Sequence, residues 1–314
     1  MRIIILLLSV SLGISAQDSL KTQYISAISI GGGSAHYIGD LAPIKHFPIS
    51  LNTNVKYNVV FDYSKFVIPY WSIGANASYT VIAGDDFTFA SNNIEELWLN
   101  YLRNLNFTSL VFGAGVESRI YLTRLNGREP NRFDFFVSNG VKLIRRQSKT
   151  SLITEMGKEV KIRDLTQYNT AGASNRGNAS NSVVHTVFPF GFGIQFHINK
   201  KIALGLNLDY NFVQSDLIDD VGNDPYPEPT ELQRYFGPNS VLLSNRAAET
   251  RTISTFQSRS ELLSNPVFIE NGIYGLDNIN SFVGYQGSLS DRRGQVGNDS
   301  YYTSRFYLVY KFQK

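Results

Sequence analysis

Residues 202–212, IALGLNLDYNF, alternate without a slip. Ile202, Leu204, Leu206, Leu208, Tyr210 and Phe212 fall on one face, and Ala203, Gly205, Asn207, Asp209 and Asn211 on the other. Period two marks a β-strand with one apolar and one polar face. In a soluble sandwich the apolar face is the protein core. In an outer-membrane barrel it meets lipid, and the polar face lines the lumen. The stretch alone fits both; the rest of the chain separates them.

Seven further segments carry the same pattern. Tyr24 to Tyr37, rich in Gly and Ser, is the least regular. From Leu51 to Asp62, Val55, Tyr57, Val59 and Phe61 oppose Lys56, Asn58, Val60 and Asp62. Trp71, Ile73, Ala75, Ala77, Tyr79 and Val81 oppose Ser72, Gly74, Asn76, Ser78 and Thr80. Phe112, Ala114, Val116, Ile120 and Leu122 oppose Gly113, Gly115, Glu117, Arg119 and Tyr121. Phe135, Val137, Val141 and Leu143 oppose Asp134, Ser138, Gly140 and Lys142. Phe188, Phe190, Phe192, Ile194 and Phe196 oppose Pro189, Gly191, Gly193, Gln195 and His197. Phe306, Leu308, Tyr310 and Phe312 oppose Arg305, Tyr307, Val309 and Lys311. The expected strand number is therefore eight, an even number.

The links sort by length. YSKFVIPY, TRLNGREPN and NKK are short; the others run roughly from Gly39 to Ile49, Gly84 to Arg103, Gln147 to Asn181 and Gln214 to Ser300. Short turns at one end and long loops at the other describe an antiparallel transmembrane outer-membrane β-barrel, with periplasmic turns and extracellular loops. Tyr63, Trp71, Phe133, Phe196 and Phe312 fall at the short-turn ends, and Tyr79, Tyr210 and Phe212 at the long-loop ends, as two interfacial belts.

The N-terminus agrees. MRIIILLLSVSLGISAQ has Arg2, an apolar run from Ile3 to Val10, and small residues to Ala16. It reads as a secretory signal peptide cleaved after Ala16, too short to span a bilayer as a helix. Residues 17–314 then form a single barrel domain. Residue 17 is Gln, not the Cys of a lipid-anchored terminus. The chain has no Cys, which excludes thiol catalysis and thiolate metal sites; a net charge of +3 gives nucleic-acid binding no electrostatic support.

An eight-stranded barrel is narrow enough for side chains to fill. Lys56, Asp62, Glu117, Arg119, Asp134, Lys142, Asp209, Arg305 and Lys311 are the expected inward charges, pairing into a polar core; the alternative is an ion path. None of His36, His46, His185 and His197 sits in a metal-ligand spacing, and no GxSxG or phosphate loop is present, so no catalytic or cofactor site is expected. A Ser paired with His36 or His185 is the hydrolase alternative, recognisable only by geometry. Asp216, Asp219, Asp220 and Asp224 open the longest link as a solvated acidic loop, with calcium as the alternative. PNSVLLSNRAAE, Pro238 to Glu249, reads as a short helix over the barrel mouth, with Leu242, Leu243 and Ala247 available to pack. The short-turn side is basic, with Lys65, Arg124, Arg128, Lys200, Lys201 and Lys314 against Glu129. These charges suit an acidic partner surface or, equally, lipid headgroups and solvent.

GGGSAHYIGDLAP, FPFGFGIQFHINKKIALGLNLDYNF, SDLIDDVGND, PNSVLLSNRAAE and RRGQVGNDSYYTSRFYLVYKF, in this order and spacing, resemble the PorG-like outer-membrane proteins of the type IX secretion system of Bacteroidota. The family usually reads a TDYLDDVS-like run where this chain has Ser215 to Gly222, so the resemblance extends to paralogues. It implies a non-enzymatic outer-membrane anchor for a periplasmic secretion ring. It also implies a closing strand, ending Tyr310-Lys311-Phe312, read by the barrel-assembly machinery. The competing function is a transport or surface-binding barrel whose long loops engage a ligand.

Overall fold

The computed structural model describes residues 24–42, 54–91, 93–125, 132–154, 157–170, 183–222, 225–249, 259, 263–274, 279, 293–294 and 297–313. The expected signal peptide, His46, Arg128, Glu129, Asp224 and Lys314 lie outside them.

In chain order the strands are β1 (Tyr24–Ile38), β2 (Lys56–Ile68), β3 (Trp71–Asp85), β4 (Asn106–Tyr121), β5 (Phe133–Ile153), β6 (Glu159–Ile162), β7 (Val184–His197), β8 (Ile202–Val213) and β9 (Ser300–Gln313). The helices are α1 (Asp86–Ala90), α2 (Ile94–Arg103), α3 (Pro229–Phe236), α4 (Pro238–Ser244) and α5 (Pro266–Glu270). Eight strands close into an antiparallel barrel in the order β4-β3-β2-β1-β9-β8-β7-β5, with β4 pairing β5; β6 is an annex on β5. Closure runs through the β1–β9 ladder, where Ile28 faces Tyr310 and Ile30 faces Leu308.

The alternation decides which way each side chain points. Tyr57, Val59, Phe61 and Tyr63 are exposed, while Asn58, Val60 and Asp62 are buried. The wall carries large apolar groups over its whole circumference, with Phe306 71 % and Phe192 61 % exposed. An apolar surface this continuous is the lipid face of a membrane-spanning barrel. Aromatic belts edge it. Phe133 packs on Phe196 at 5.0 Å between ring centroids at the short-turn end. Tyr79 packs on Phe112 at 5.0 Å, and Tyr210 on Tyr302 at 4.9 Å, at the other end.

The β2–β3 turn is tighter than the sequence suggests. YSKFVI continues the β2 ladder, leaving only Pro69 and Tyr70 between β2 and β3. Between β7 and β8, Asn199 Oδ1 accepts hydrogen bonds from the Lys201 and Ile202 amides, both at 2.8 Å, an Asx turn that lets four residues reverse the chain.

Three expected long links contain regular structure among their described residues. The 84–103 link folds as α1 and α2. β5 runs on to Ile153 and returns as β6, so the 147–181 link begins as a hairpin. The last link supplies α3, α4 and α5. At these ends the inward residues turn apolar: Tyr37, Ile82, Val111, Ile144, Val187, Val213 and Tyr301 form one buried core with Leu41, Phe89, Tyr101, Leu102, Leu243, Ala247 and Phe268 from the links. The links are thus a folded cap seated in the mouth. α4 covers only the first part of the helix read over Pro238 to Glu249, ending at Ser244; Leu243 in it and Ala247 beyond it are buried, whereas Leu242 faces out.

Leu206, mid-strand between Ile194 and Phe306, tests the lipid face. Leu206→Arg should destabilise the barrel by about 2–4 kcal/mol in urea titrations in lipid bilayers. An unchanged midpoint would remove this wall from the bilayer.

Candidate functional site: the filled lumen and its two ends

The lumen is filled in layers. Midway, Arg119 and Arg305 stand among three carboxylates. Arg119 Nε donates to Glu117 Oε1 at 2.6 Å, and its Nη2 lies 3.5 Å from Asp62. Arg305 lies 3.6 Å from Asp62, 3.5 Å from Glu117 and 3.6 Å from Asp209. Ser29 donates to Asp62 at 2.9 Å, and Asn207 Nδ2 to both Asp209 oxygens at 2.9 Å. Lys142, also buried, brings the layer to three cations against three carboxylates. Charges this deeply buried are tolerated only when paired.

Beneath lies an aromatic layer of Tyr121, Phe136 and Tyr307, with Phe66 partly buried against it. Glycines opposite make it fit. A Cβ on Gly205 would sit 2.1 Å from the Tyr307 ring, and one on Gly193 2.3 Å from that of Phe136.

At the short-turn end a second charged cluster closes the tube. Asp134 accepts from Arg124 Nε at 3.0 Å and Thr123 Oγ1 at 2.7 Å, and Arg124 Nη2 also bonds it. His197 bridges onward, its Nε2 2.5 Å from Asp134 and its Nδ1 2.5 Å from Lys311 Nζ. An ammonium can only donate, so Nδ1 accepts from Lys311 and the proton sits on Nε2, donated to Asp134. Arg124 also stacks over Tyr121 and Phe66, at 4.6 and 5.2 Å.

Arginines stitch the segments of the cap to one another. Asp86, wholly buried, accepts from Arg103 Nε at 2.8 Å and Nη2 at 2.7 Å, from Asn100 Nδ2 at 3.0 Å and from the Leu105 amide at 3.0 Å. Arg103 donates further to the carbonyls of Arg293 and Asp40. Arg259 donates to the carbonyls of Tyr101 and Leu102, at the end of α2, and of Ala247 and Glu249. Arg293 donates to those of Leu243 and Ser244, at the end of α4, and of Asp220. Helix C-termini leave carbonyls without intrahelical partners, and cations satisfy them.

The acidic stretch after β8 is not a solvated loop. Asp219 and Asp220 are buried in the mouth. Asp220 lies 3.2 Å from Arg146 and accepts from Thr170. The Tyr37 hydroxyl lies 2.6 Å from Asp219 and 3.0 Å from Asp299. One hydroxyl proton serves one carboxylate, so bonding to both requires the other to be protonated and to donate. Burial, with Asp40 nearby, pushes the Asp219 carboxyl well above the usual range. Burial, then Asp219 and Asp40, do the same to Asp299.

The basic residues read from the sequence separate. Lys200 and Lys201 are exposed at the β7–β8 turn. Lys65 is exposed on the outer wall beside Tyr63 and Val67, at the lipid margin rather than on the end face. Arg124, expected as a docking charge, is 1 % exposed and held by Asp134 inside the tube, so it presents nothing to a partner. The signal for that pairing was Asp134, ten residues on, at an inward strand position. Ser34 Oγ does lie 2.8 Å from His36 Nε2, on the outer wall, and 2.7 Å from Ser304 Oγ. His185 Nε2 instead accepts from Arg146 at 3.2 Å.

No protein-family model and no curated protein matches the chain. Among solved structures it is similar to Ail, the attachment invasion locus protein of Yersinia pestis, with a TM-score of 0.32 and 10 % identity over 60 % of this chain and 88 % of that one. It is also similar to Neisserial surface protein A (0.33, 8 % identity, 60 % and 82 % covered) and to CarO2 of Acinetobacter baumannii (0.25, 8 % identity, 93 % and 100 % covered). The likeness to PorG-like proteins therefore rests on the sequence stretches alone.

Arg305→Ala would leave Asp62, Glu117 and Asp209 short of a cation and should destabilise the barrel by about 3–5 kcal/mol, read as a lowered urea midpoint. Asp219 and Asp299 give a pH dependence. A carboxyl whose folded pKa is raised contributes stability that is whole below its unfolded value and lost as pH rises through the folded one. Hydrogen exchange at residues 215–222 should therefore be slower at about pH 5 than at about pH 8 beyond the intrinsic chemical difference. Asp219→Asn combined with Asp299→Asn should abolish the excess.

Proposed function

We propose that this chain is a non-enzymatic, non-conducting outer-membrane anchor. Its short-turn end faces the periplasm and docks a secretion ring of the type IX kind, and its long-loop end faces outward. One observation carries the anchor reading: charged pairs, an aromatic layer and an apolar cap fill the lumen in succession, which supports a rigid plug over a path for solute. The sequence resemblance supports the docking role, and the exposed Lys200 and Lys201 suit an acidic periplasmic surface. Outer-membrane lipid and the barrel-assembly machinery are its remaining partners.

A second reading has a specific observation behind it. Tyr235, Leu242, Ile269 and Tyr274 of the cap are exposed, with Tyr274 at 69 %, which suits a surface that grips something outside the cell.

In planar bilayers the purified barrel should give no discrete conductance steps; a steady open channel would overturn the anchor reading. Crosslinking in cells should recover periplasmic ring proteins with the wild-type chain, and far less with Lys200→Glu combined with Lys201→Glu. Equal recovery would move the docking surface elsewhere. Recovery only of extracellular ligands, lost on deleting the cap, would favour the second reading.

A further inference from the structure

β3, β4 and β5 do not stop at the upper aromatic belt. Tyr79, Phe112 and Arg145 form one outward row across the three strands, and Ala83, Thr108 and Lys149 form another four residues further on. β6 widens this extension, with Lys161 beside Ser151. Four residues of strand rise about 13 Å along the chain, so the second row stands at headgroup level above the lipid wall.

On this outward face lies a groove of about 430 Å³, with Lys149, Lys161 and Arg163 in its lining, and Lys56, expected as an inward lumen charge, lines it as well. None of the four forms an ion pair with a described residue. The acid in the lining, Asp85, caps α1 by accepting from the Thr88 amide at 3.0 Å. Arg145, exposed in the row below, adds a fifth cation. Directly beneath, Phe112, Ala114, Val116, Val141 and Leu143 present bare apolar wall.

We infer that the groove binds the phosphate-bearing sugar headgroup of an outer-leaflet glycolipid, whose acyl chains lie on the β4–β5 wall. A soluble anion would use the cations and leave the wall idle. An acyl chain alone would use the wall and not the cations. A phosphorylated glycolipid uses both, with Arg163 able to grip a phosphate through two N–H groups and the lysines acting as point charges. The volume holds a sugar phosphate rather than a polymer. The inference rests on the outward orientation of the long-loop end proposed above, and not on the docking role.

Native mass spectrometry of the detergent-solubilised full chain tests it, with diphosphorylated lipid A as the probe. Dephosphorylated lipid A, phosphatidylglycerol and inorganic phosphate are the comparison arms. Lipid A should bind in preference to all three. Charge reversal at Lys149, Lys161 and Arg163 should weaken it by about a hundredfold, at roughly tenfold or less per cation. Reversal at Lys200 and Lys201, at the other end, should leave it unchanged. The groove cations are solvent-facing, and heat-modifiable migration would verify that the variants fold. Equal binding of dephosphorylated lipid A, or an unaffected triple variant, would overturn the proposal. So would competition by inorganic phosphate at equal potency, which would make the groove a soluble-anion site. Phosphatidylglycerol binding as tightly would overturn the sugar headgroup, and would be the outcome if the orientation were reversed.

Discussion

The β1–β9 ladder is the constraint on which everything else depends. In hydrocarbon no water is available to satisfy a backbone amide, so a sheet can cross only if its last edge is paired. Closing eight strands does this, and in doing so fixes a tube so narrow that its interior must be packed. Both the inside-out wall and the filled lumen follow from that closure. The alternation in IALGLNLDYNF then needs no specific partner on its Leu face, because lipid will take any apolar side chain. Its Asn and Asp face must instead find particular partners, and Asn207 and Asp209 find each other and Arg305.

Filling a narrow tube with charge is a delicate solution. A buried pair gains from Coulomb attraction but loses hydration, and the balance is favourable only when the set is neutral and well bonded. The middle layer meets the first condition through Arg119, Arg305 and Lys142 against Asp62, Glu117 and Asp209. It meets the second in part: Ser29, Asn76 and Asn207 bond the carboxylates, while Arg305 Nε and Nη1 and Asp62 Oδ1 are buried without a hydrogen bond among the described residues and are held by charge alone. At the short-turn end Asp134 takes four hydrogen bonds from Arg124, Thr123 and His197, which leaves it no capacity for a mobile ion. The two charged layers sandwich aromatic rings, and a hydrated path through all three would require each to come apart.

The strands were legible because lipid imposes period two on the outer face and the mid-lumen is polar enough to give contrast. Legibility fails where that contrast fails. Near the cap, inward Ile82, Val111, Ile144 and Val187 are as apolar as their outward neighbours, so the pattern ends before the strand does. β4 consequently begins six residues earlier than Phe112, the first residue read as strand, and β5 runs ten beyond Leu143, the last. The cap was readable only where local signals are strong, as at Pro238, which opens α4. Its arginine clamps join Arg103, Arg259 and Arg293 to carbonyls far away in the chain, and carbonyl acceptors have no sequence signature. Arg124 misled for a related reason: a basic residue in a turn looks solvated until the fold delivers a carboxylate beneath it.

One strand shows how a single stretch of chain answers to two solvents independently. Along β5 the outward residues run Phe133, Phe135, Val137, Asn139, Val141, Leu143 and then Arg145, Gln147 and Lys149. The change from Leu143 to Arg145 comes eleven residues after the belt residue Phe133, close to the span of about 9–11 residues a tilted strand needs to cross hydrocarbon. The inward residues keep no such count: Lys142 is followed by Ile144, then Arg146 and Ser148, each chosen by what it touches in the mouth. Bilayer thickness is therefore written on the outer face alone. Arg145 pairs across the ladder with Phe112, and Phe112 with Tyr79, so the boundary read from β5 lies level with the aromatic belt of β4 and β3. What rises above it, the cap inside and the basic groove outside, stands clear of hydrocarbon, where charge can be carried without a buried partner.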